Sequence, residues 1–299
     1  MPKHFISIRD LGPEVALRLL ERALEMKKSF YKSRLLEGKI IVLIFEKAST
    51  RTRLSFEAAV RELGGQTIFM TPAESQLGRS EPLRDTARVL SRYAHGMVVR
   101  TFEQEKLDEL VRYGSVPVVN ALTDEGHPCQ IMGDLLTIYE RVPDFSGLRI
   151  AWVGDINNVA FSWMEAATLF PFELVMACPA EYMPAPYKIG GYRKAGAKIG
   201  LTTDLKEAAQ GAHYIYTDVW ASMGQENERL ERENAFRDYC VTSELMALAA
   251  PGAKFMHCLP AHRGEEVTDE VMEGESSIIF DQAENRLHAQ KAILEWVFA

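Results

Sequence analysis

The chain has no stretch of roughly 18 apolar residues, so it offers no candidate for a helix that spans a bilayer. Its opening, MPKHFISIRD, lacks a basic segment followed by an apolar run, and it predicts no export signal. Cysteine is scarce, with four residues, Cys129, Cys178, Cys240 and Cys258, in no CxxC or Cys/His spacing. That pattern argues against both a disulfide framework and a zinc site, and the expected compartment is a reducing cytoplasm. Basic residues are outnumbered, 34 Lys and Arg against 42 Asp and Glu, for a net charge of -8. Nucleic-acid backbones are held by clustered cations, so general nucleic-acid binding is excluded and any anion must be bound by a few local groups. Low-complexity tracts and internal repeats are missing too.

What is present suits a folded enzyme: 299 residues, 47% of them hydrophobic and 25% charged, enough for two domains of roughly 150 residues each. Residues 14–28 have helical periodicity, and 40–45, Ile-Ile-Val-Leu-Ile-Phe, form a continuous apolar run of the kind parallel sheets bury. A polar turn and a helix with Phe56, Ala59, Val60 and Leu63 on one face follow, ended by Gly64-Gly65. Helices are predicted at about 82–95, 104–113 and 127–141, with strands at 97–99 and 116–119. Residues 143–147 read as a linker. The alternation then restarts, with strands at 149–153, 173–177, 197–201, 213–217, 254–257 and 277–280 and a helix at about 158–170.

This order predicts an α/β fold of two doubly wound parallel-sheet domains, 1–142 and 148–283, followed by a C-terminal helix, 284–299, with no packing partner assigned.

Several segments carry chemistry. Ser49-Thr50-Arg51-Thr52-Arg53 lies between a buried strand and a helix start, where unpaired backbone N–H groups and the helix dipole favour a phosphate. Hydroxyls and an arginine add charge-assisted hydrogen bonds, although a capped helix with solvated arginines also fits the segment by itself. His127-Pro128-Cys129-Gln130 and Arg100 stand at other strand ends, the edge of an open parallel sheet where ligands bind. Read singly, they are also a polar cap and a surface arginine. Val153-Gly154-Asp155-Ile156-Asn157-Asn158 lacks the GxGxxG spacing, so a nicotinamide cofactor is set aside. Asp218-Val219-Trp220-Ala221-Ser222-Met223-Gly224 and the polar run to about Asn234 predict a mobile loop. Cys258, in His257-Cys258-Leu259-Pro260, would alone be a small hydrophobe. Arg286 is predicted near the start of the last helix, where the dipole does not favour it and a ligand would.

STRTR, HPCQ, DVWASMG, HCLP and AENR, in this order over the whole length, resemble the aspartate/ornithine carbamoyltransferase family. SMG and HCLP look like its ornithine branch, since aspartate enzymes lack the SMG loop and carry HPLP. Ile156 stands where glycine is common in that branch, and Phe161 where histidine is common. Putrescine, N-acetylornithine and aspartate remain rival acceptors, and a non-catalytic anion-binding regulator on the same fold is the rival outside enzymes.

The resemblance implies that Ser49, Thr50, Arg51 and Thr52 cradle the phosphate of carbamoyl phosphate. Arg100, His127, Gln130 and Arg286 would surround the same ligand. It implies a homotrimer or a multiple of trimers, with Gln76 reaching a neighbouring subunit's site. L-Ornithine would be held by Asn158, Asp218, Ser222 and Met223, with Cys258 and Leu259 bordering the carbamoyl group and the attacking amine. Arg100, His127 and Cys258 are the expected catalytic groups; no metal or cofactor is called for. Citrulline and phosphate would be the products, within arginine metabolism.

Overall fold

The apolar run at 40–45 forms strand β1 (Ile40–Phe45), whose last five residues are buried. Each such side chain contributes about 1.5–3 kcal/mol when taken from water. The computed structural model describes residues 2–71, 81–221 and 226–299. These form two units, Met1–Glu140 with Glu284–Ala299, and Arg141–Ala283.

In the first unit β1 pairs in parallel with β2 (Gln66–Met70) and with β3 (Gly96–Arg100), and β3 pairs with β4 (Val118–Leu122). The sheet order is β2-β1-β3-β4. Its helices are α1 (Gly12–Lys28), α2 (Thr50–Glu62), α3 (Leu83–Tyr93), α4 (Gln104–Tyr113) and α5 (Pro128–Tyr139). Val42, Ile44, Leu90, Val99, Leu107 and Leu110 belong to one core cluster where strands meet helices. The chain leaves β1 toward β2 on one side and returns as β3 on the other. A crevice at such a switch point, outside the carboxyl ends of the strands, is where open parallel sheets take ligands.

The second unit repeats the plan with β5 (Arg149–Val153), β6 (Glu173–Ala177), β7 (Lys198–Thr202), β8 (Tyr214–Thr217) and β9 (Lys254–His257). They run parallel in the order β7-β6-β5-β8-β9, which puts the switch point between β5 and β8. Its helices are α6 (Asn158–Ala166), α7 (Pro186–Lys194), α8 (Leu205–Ala209), α9 (Arg229–Phe236), α10 (Ser243–Met246) and α11 (Asp269–Glu273). Trp152 and Tyr216 stack at 5.1 Å between ring centres, and Trp163 meets Tyr216 edge-on at 5.7 Å.

Helix α12 (Ile279–Phe298) ends the chain, and from Glu284 on it belongs to the first unit. Among the described residues no helix is long and apolar enough to cross a membrane.

Three readings change. Residues 277–280 do not form a strand: Ser277 makes one isolated parallel bridge to Phe255, and α12 starts at Ile279. A short apolar run fits either state, and here the helix prevails. The edge strand β2, half exposed, was not among the predicted strands. Finally, the polar segment expected to be a loop to about Asn234 turns helical from Glu226, first as a short 3-10 turn and then as α9, anchored by buried Arg232 and Phe236.

Candidate active site

In the first unit the described residues singled out by sequence gather at the carboxyl edge of the sheet. Phe45, the last residue of β1, lies opposite Arg100, the last of β3, and Arg100 lies opposite Leu122, the last of β4. Ser49 caps α2, its hydroxyl accepting the Thr52 N–H at 3.2 Å. That satisfies one orphan donor and leaves the start of the helix electropositive. Arg51 lies in the first turn, half-buried. Arg53 turns elsewhere, since Nε donates to Glu57 at 2.8 Å and the guanidinium lies 3.7 Å over the Phe69 ring.

Arg100, His127, Gln130 and Arg286 are all buried. Arg286 Nη2 donates to Thr52 Oγ1 at 2.7 Å. Gln130 Nε2 donates to Asp134 at 2.8 Å. Burial, then the positive charges of Arg286 and Arg100, hold His127 well below its usual pKa, so the ring is neutral at pH 7. Two guanidiniums that act electrically on one buried imidazole, beside a helix N-terminus, make a place prepared for an anion. Arg286 is not in the first turn of α12, which begins seven residues earlier at Ile279. Its placement therefore owes nothing to the helix dipole, which fades beyond the first turn.

In the second unit β5, β8 and β9 end side by side, with Val153 opposite Thr217 and Thr217 opposite His257. Gly154 adopts φ +115°, a conformation open to glycine, and the chain turns into α6. Asn157 caps α6 and its Nδ2 donates to Asp218 Oδ2 at 2.7 Å. The Val219 N–H donates to Asp218 Oδ1 at 2.9 Å, and the Cys258 thiol donates to the same oxygen at 3.0 Å. Asn158 is the first residue of α6 and half-buried, and Leu259 is likewise half-buried. Asp155 is buried against Arg232, whose Nη1 lies 3.2 Å from Oδ2. Burial outweighs that cation and pushes the Asp155 carboxyl up to about 6. Gln76, Ser222 and Met223 lie outside the described residues.

Among the described residues, two groups have donor atoms close enough for a metal, Asp218-His257-Cys258 and His262-Glu265-Glu266. Neither is a free ligand set. Both ring nitrogens of His257 are engaged, Nδ1 with the Leu259 N–H at 2.8 Å and Nε2 with Glu266 at 3.1 Å, and Glu265 accepts from Arg229 at 3.0 Å.

Sequence reasoning missed Asn157 and Glu266. Asn157 was visible as a helix cap, but its reach to Asp218 depends on β5 and β8 being neighbours. Nothing in the sequence signals the buried partner of His257.

The model of the aspartate/ornithine carbamoyltransferase carbamoyl-P binding domain matches residues 3–140, and that of the Asp/Orn binding domain matches 146–297. The chain belongs to the aspartate/ornithine carbamoyltransferase family. An ornithine carbamoyltransferase of Nitratidesulfovibrio vulgaris is 68% identical, over 100% of this chain and 99% of that protein. The solved ornithine carbamoyltransferase of Pyrococcus furiosus is 44% identical with a TM-score of 0.92, over 98% of this chain and 96% of its own. A solved N-acetyl-L-ornithine transcarbamylase is 28% identical with a TM-score of 0.87, over 99% of each chain. The same fold thus carries a transcarbamylase named for another acceptor, so the fold by itself does not fix the acceptor.

Proposed function

We propose that this chain transfers the carbamoyl group of carbamoyl phosphate to Nδ of L-ornithine, giving L-citrulline and phosphate. The observation that carries the reading is the cationic cluster of the first unit, where Arg100 and Arg286 act on neutral, buried His127 beside the capped start of α2. Ser49, Thr50, Arg51 and Thr52 would hold the phosphate, Arg286 would add a charge, and Gln130 would meet the carbamoyl nitrogen. A neutral His127 serves as a hydrogen-bond donor to the carbonyl oxygen, and Arg51 and Arg100 stabilise the charge that develops there and on the leaving phosphate. Gln76 of a neighbouring subunit completes this site in a trimer or a multiple of trimers.

In the second unit Asp218 would take the α-ammonium together with Ser222, while Asn158 and the Met223 N–H take the carboxylate. The Nδ lone pair attacks the carbonyl carbon, the carbon–oxygen bond to phosphate breaks, and the new amide nitrogen sheds a proton. Cys258, whose thiol lies 3.0 Å from Asp218, or the departing phosphate takes it. Leu259 borders the incoming amine. The enzyme works in the cytoplasm, within arginine metabolism.

The deciding experiment is a carbamoyl-phosphate assay against ornithine, N-acetylornithine, putrescine and aspartate. Ornithine should lead by at least about 10²-fold in kcat/KM, because a polar site left unpaired by the wrong acceptor discriminates strongly. Comparable turnover of another acceptor would refute the reading. Light scattering of the purified enzyme at a mass other than a multiple of three chains would refute the trimer.

A further inference from the structure

His257 and Glu266 form a deeply buried ionisable pair, 1% and 0% exposed, and the proposed reaction uses neither. Their hydrogen bonds lead to the amine side of the site. Leu259 has φ +59°, a left-handed conformation that a bulky side chain holds only where its surroundings impose it. Its N–H donates to His257 Nδ1 at 2.8 Å. That nitrogen therefore carries a lone pair, the proton sits on Nε2, and Nε2 donates to Glu266 Oε1 at 3.1 Å. The same oxygen accepts the His262 N–H at 2.6 Å. One carboxylate oxygen thus ties the ring at the start of the 257–262 turn to the backbone at its end. The His257 N–H donates to Gln282 Oε1 at 2.9 Å, and Gln282 Nε2 donates to the Tyr216 hydroxyl at 3.1 Å, which fixes the other side of the residue. Between the two tied ends lies Cys258, 3.0 Å from Asp218.

We propose that Glu266 is a positioning residue for the amine substrate: acting through His257, it clamps Leu259 in its left-handed conformation and so sets Cys258 against Asp218. This rests on the assignment of the Asp218–Cys258 side to ornithine. Without Glu266 the imidazole is free to tilt or exchange tautomers, the Leu259 N–H loses its acceptor, and the turn relaxes toward ordinary backbone angles. Small displacements of groups that orient a reacting amine cost rate steeply.

Three measurements test it. Nitrogen-15 NMR of histidine-labelled wild-type enzyme should show His257 neutral and protonated at Nε2. A ring protonated at Nδ1, or charged, overturns the clamp whatever the substrate is. In Glu266→Leu, which removes the oxygen that accepts from His257 Nε2 and the His262 N–H, kcat/KM for ornithine should fall about 10- to 100-fold while the dissociation constant of carbamoyl phosphate stays within about twofold. Unchanged ornithine kinetics, or equal losses for both substrates as a merely structural role would give, overturn it. Should that variant not fold, His257→Asn, which keeps an acceptor near the Nδ1 position, should outperform His257→Gln, which keeps only the far end of the ring; the reverse order overturns it. Failure of wild-type enzyme to use ornithine would sink the proposed function but leave the NMR result to decide the clamp.

Discussion

Arg286 Nη2 donates to Thr52 Oγ1 at 2.7 Å, joining α12 to the first turn of α2 across 234 positions of sequence. The neighbouring Asn285 serves the same junction through bonds to other helices. Its amide donates to Thr137 on α5 and to Glu140 at the C-cap of α5, each at 3.0 Å, and accepts from Lys27 on α1 at 2.8 Å. Two adjacent motif residues thus divide the work, Asn285 seating the helix and Arg286 carrying a guanidinium to the first turn of α2.

Seating α12 so closely leaves little room for a side chain at Gly133 on α5. A Cβ on Gly133 would stand 3.0 Å from Arg286 Cγ and 3.2 Å from its Cα. Alanine favours the helix by about 1 kcal/mol, but overpacking against another helix's backbone costs about 1–3 kcal/mol and should win. Gly133→Ala should bind carbamoyl phosphate about tenfold more weakly, a change of about 1.4 kcal/mol. Calorimetric titration with wild-type affinity would show that the close approach does not position Arg286.

Ornithine must react as the free amine, and an alkyl ammonium has a pKa near ~10.4, so the reactive fraction grows about tenfold per pH unit in neutral solution. Since His127 is held well below its usual value, it stays neutral across this range and adds no break of its own above pH 6.5. Accordingly kcat/KM for ornithine should climb steadily from about pH 6.5 to 8. A flat profile, with chemistry shown to limit the rate, would remove the deprotonation step from the mechanism.

Asp218 accepts from Asn157, Val219 and Cys258, so its carboxylate is oriented before any ligand arrives. Asp218→Asn keeps the shape and removes the charge that an α-ammonium needs. Its kcat/KM for ornithine should drop by at least about 10²-fold, with carbamoyl phosphate affinity nearly unchanged. Were carbamoyl phosphate binding lost instead, Asp218 would belong to the wrong substrate.

Asp155 should leave a signature in stability. Its carboxyl is pushed up to about 6 in the folded chain by burial, against an ordinary value near ~3.9 when unfolded. The folded state therefore holds this proton more tightly, and the stability it contributes is complete below about pH 4 and lost as pH rises through about 6. An asparagine side chain cannot ionise, so the Asp155→Asn variant avoids that loss. Relative to wild type it should gain up to roughly 3 kcal/mol between pH 4 and 7, measured by denaturant unfolding at several pH values. A difference independent of pH would mean that Arg232 fully compensates the buried carboxylate.

The sequence by itself determined the alternation of strands and helices, because continuous apolar runs and 3.6-residue periodicity are local patterns. It also determined where α2 begins, since Ser49 needs only the N–H of Thr52, three residues away, to cap it. Motif order was enough to point to the family. Tertiary structure alone decided the rest. Whether 277–280 became strand or helix depended on what the apolar side chains could be buried against, and β2 exists because β1 offers it an unpaired edge. The same holds for the contacts that matter to chemistry. Arg286 reaches Thr52, Asn157 reaches Asp218, and Glu266 reaches His257 only after strands and helices have packed, since each pairing is set by a neighbour in space that no local pattern encodes.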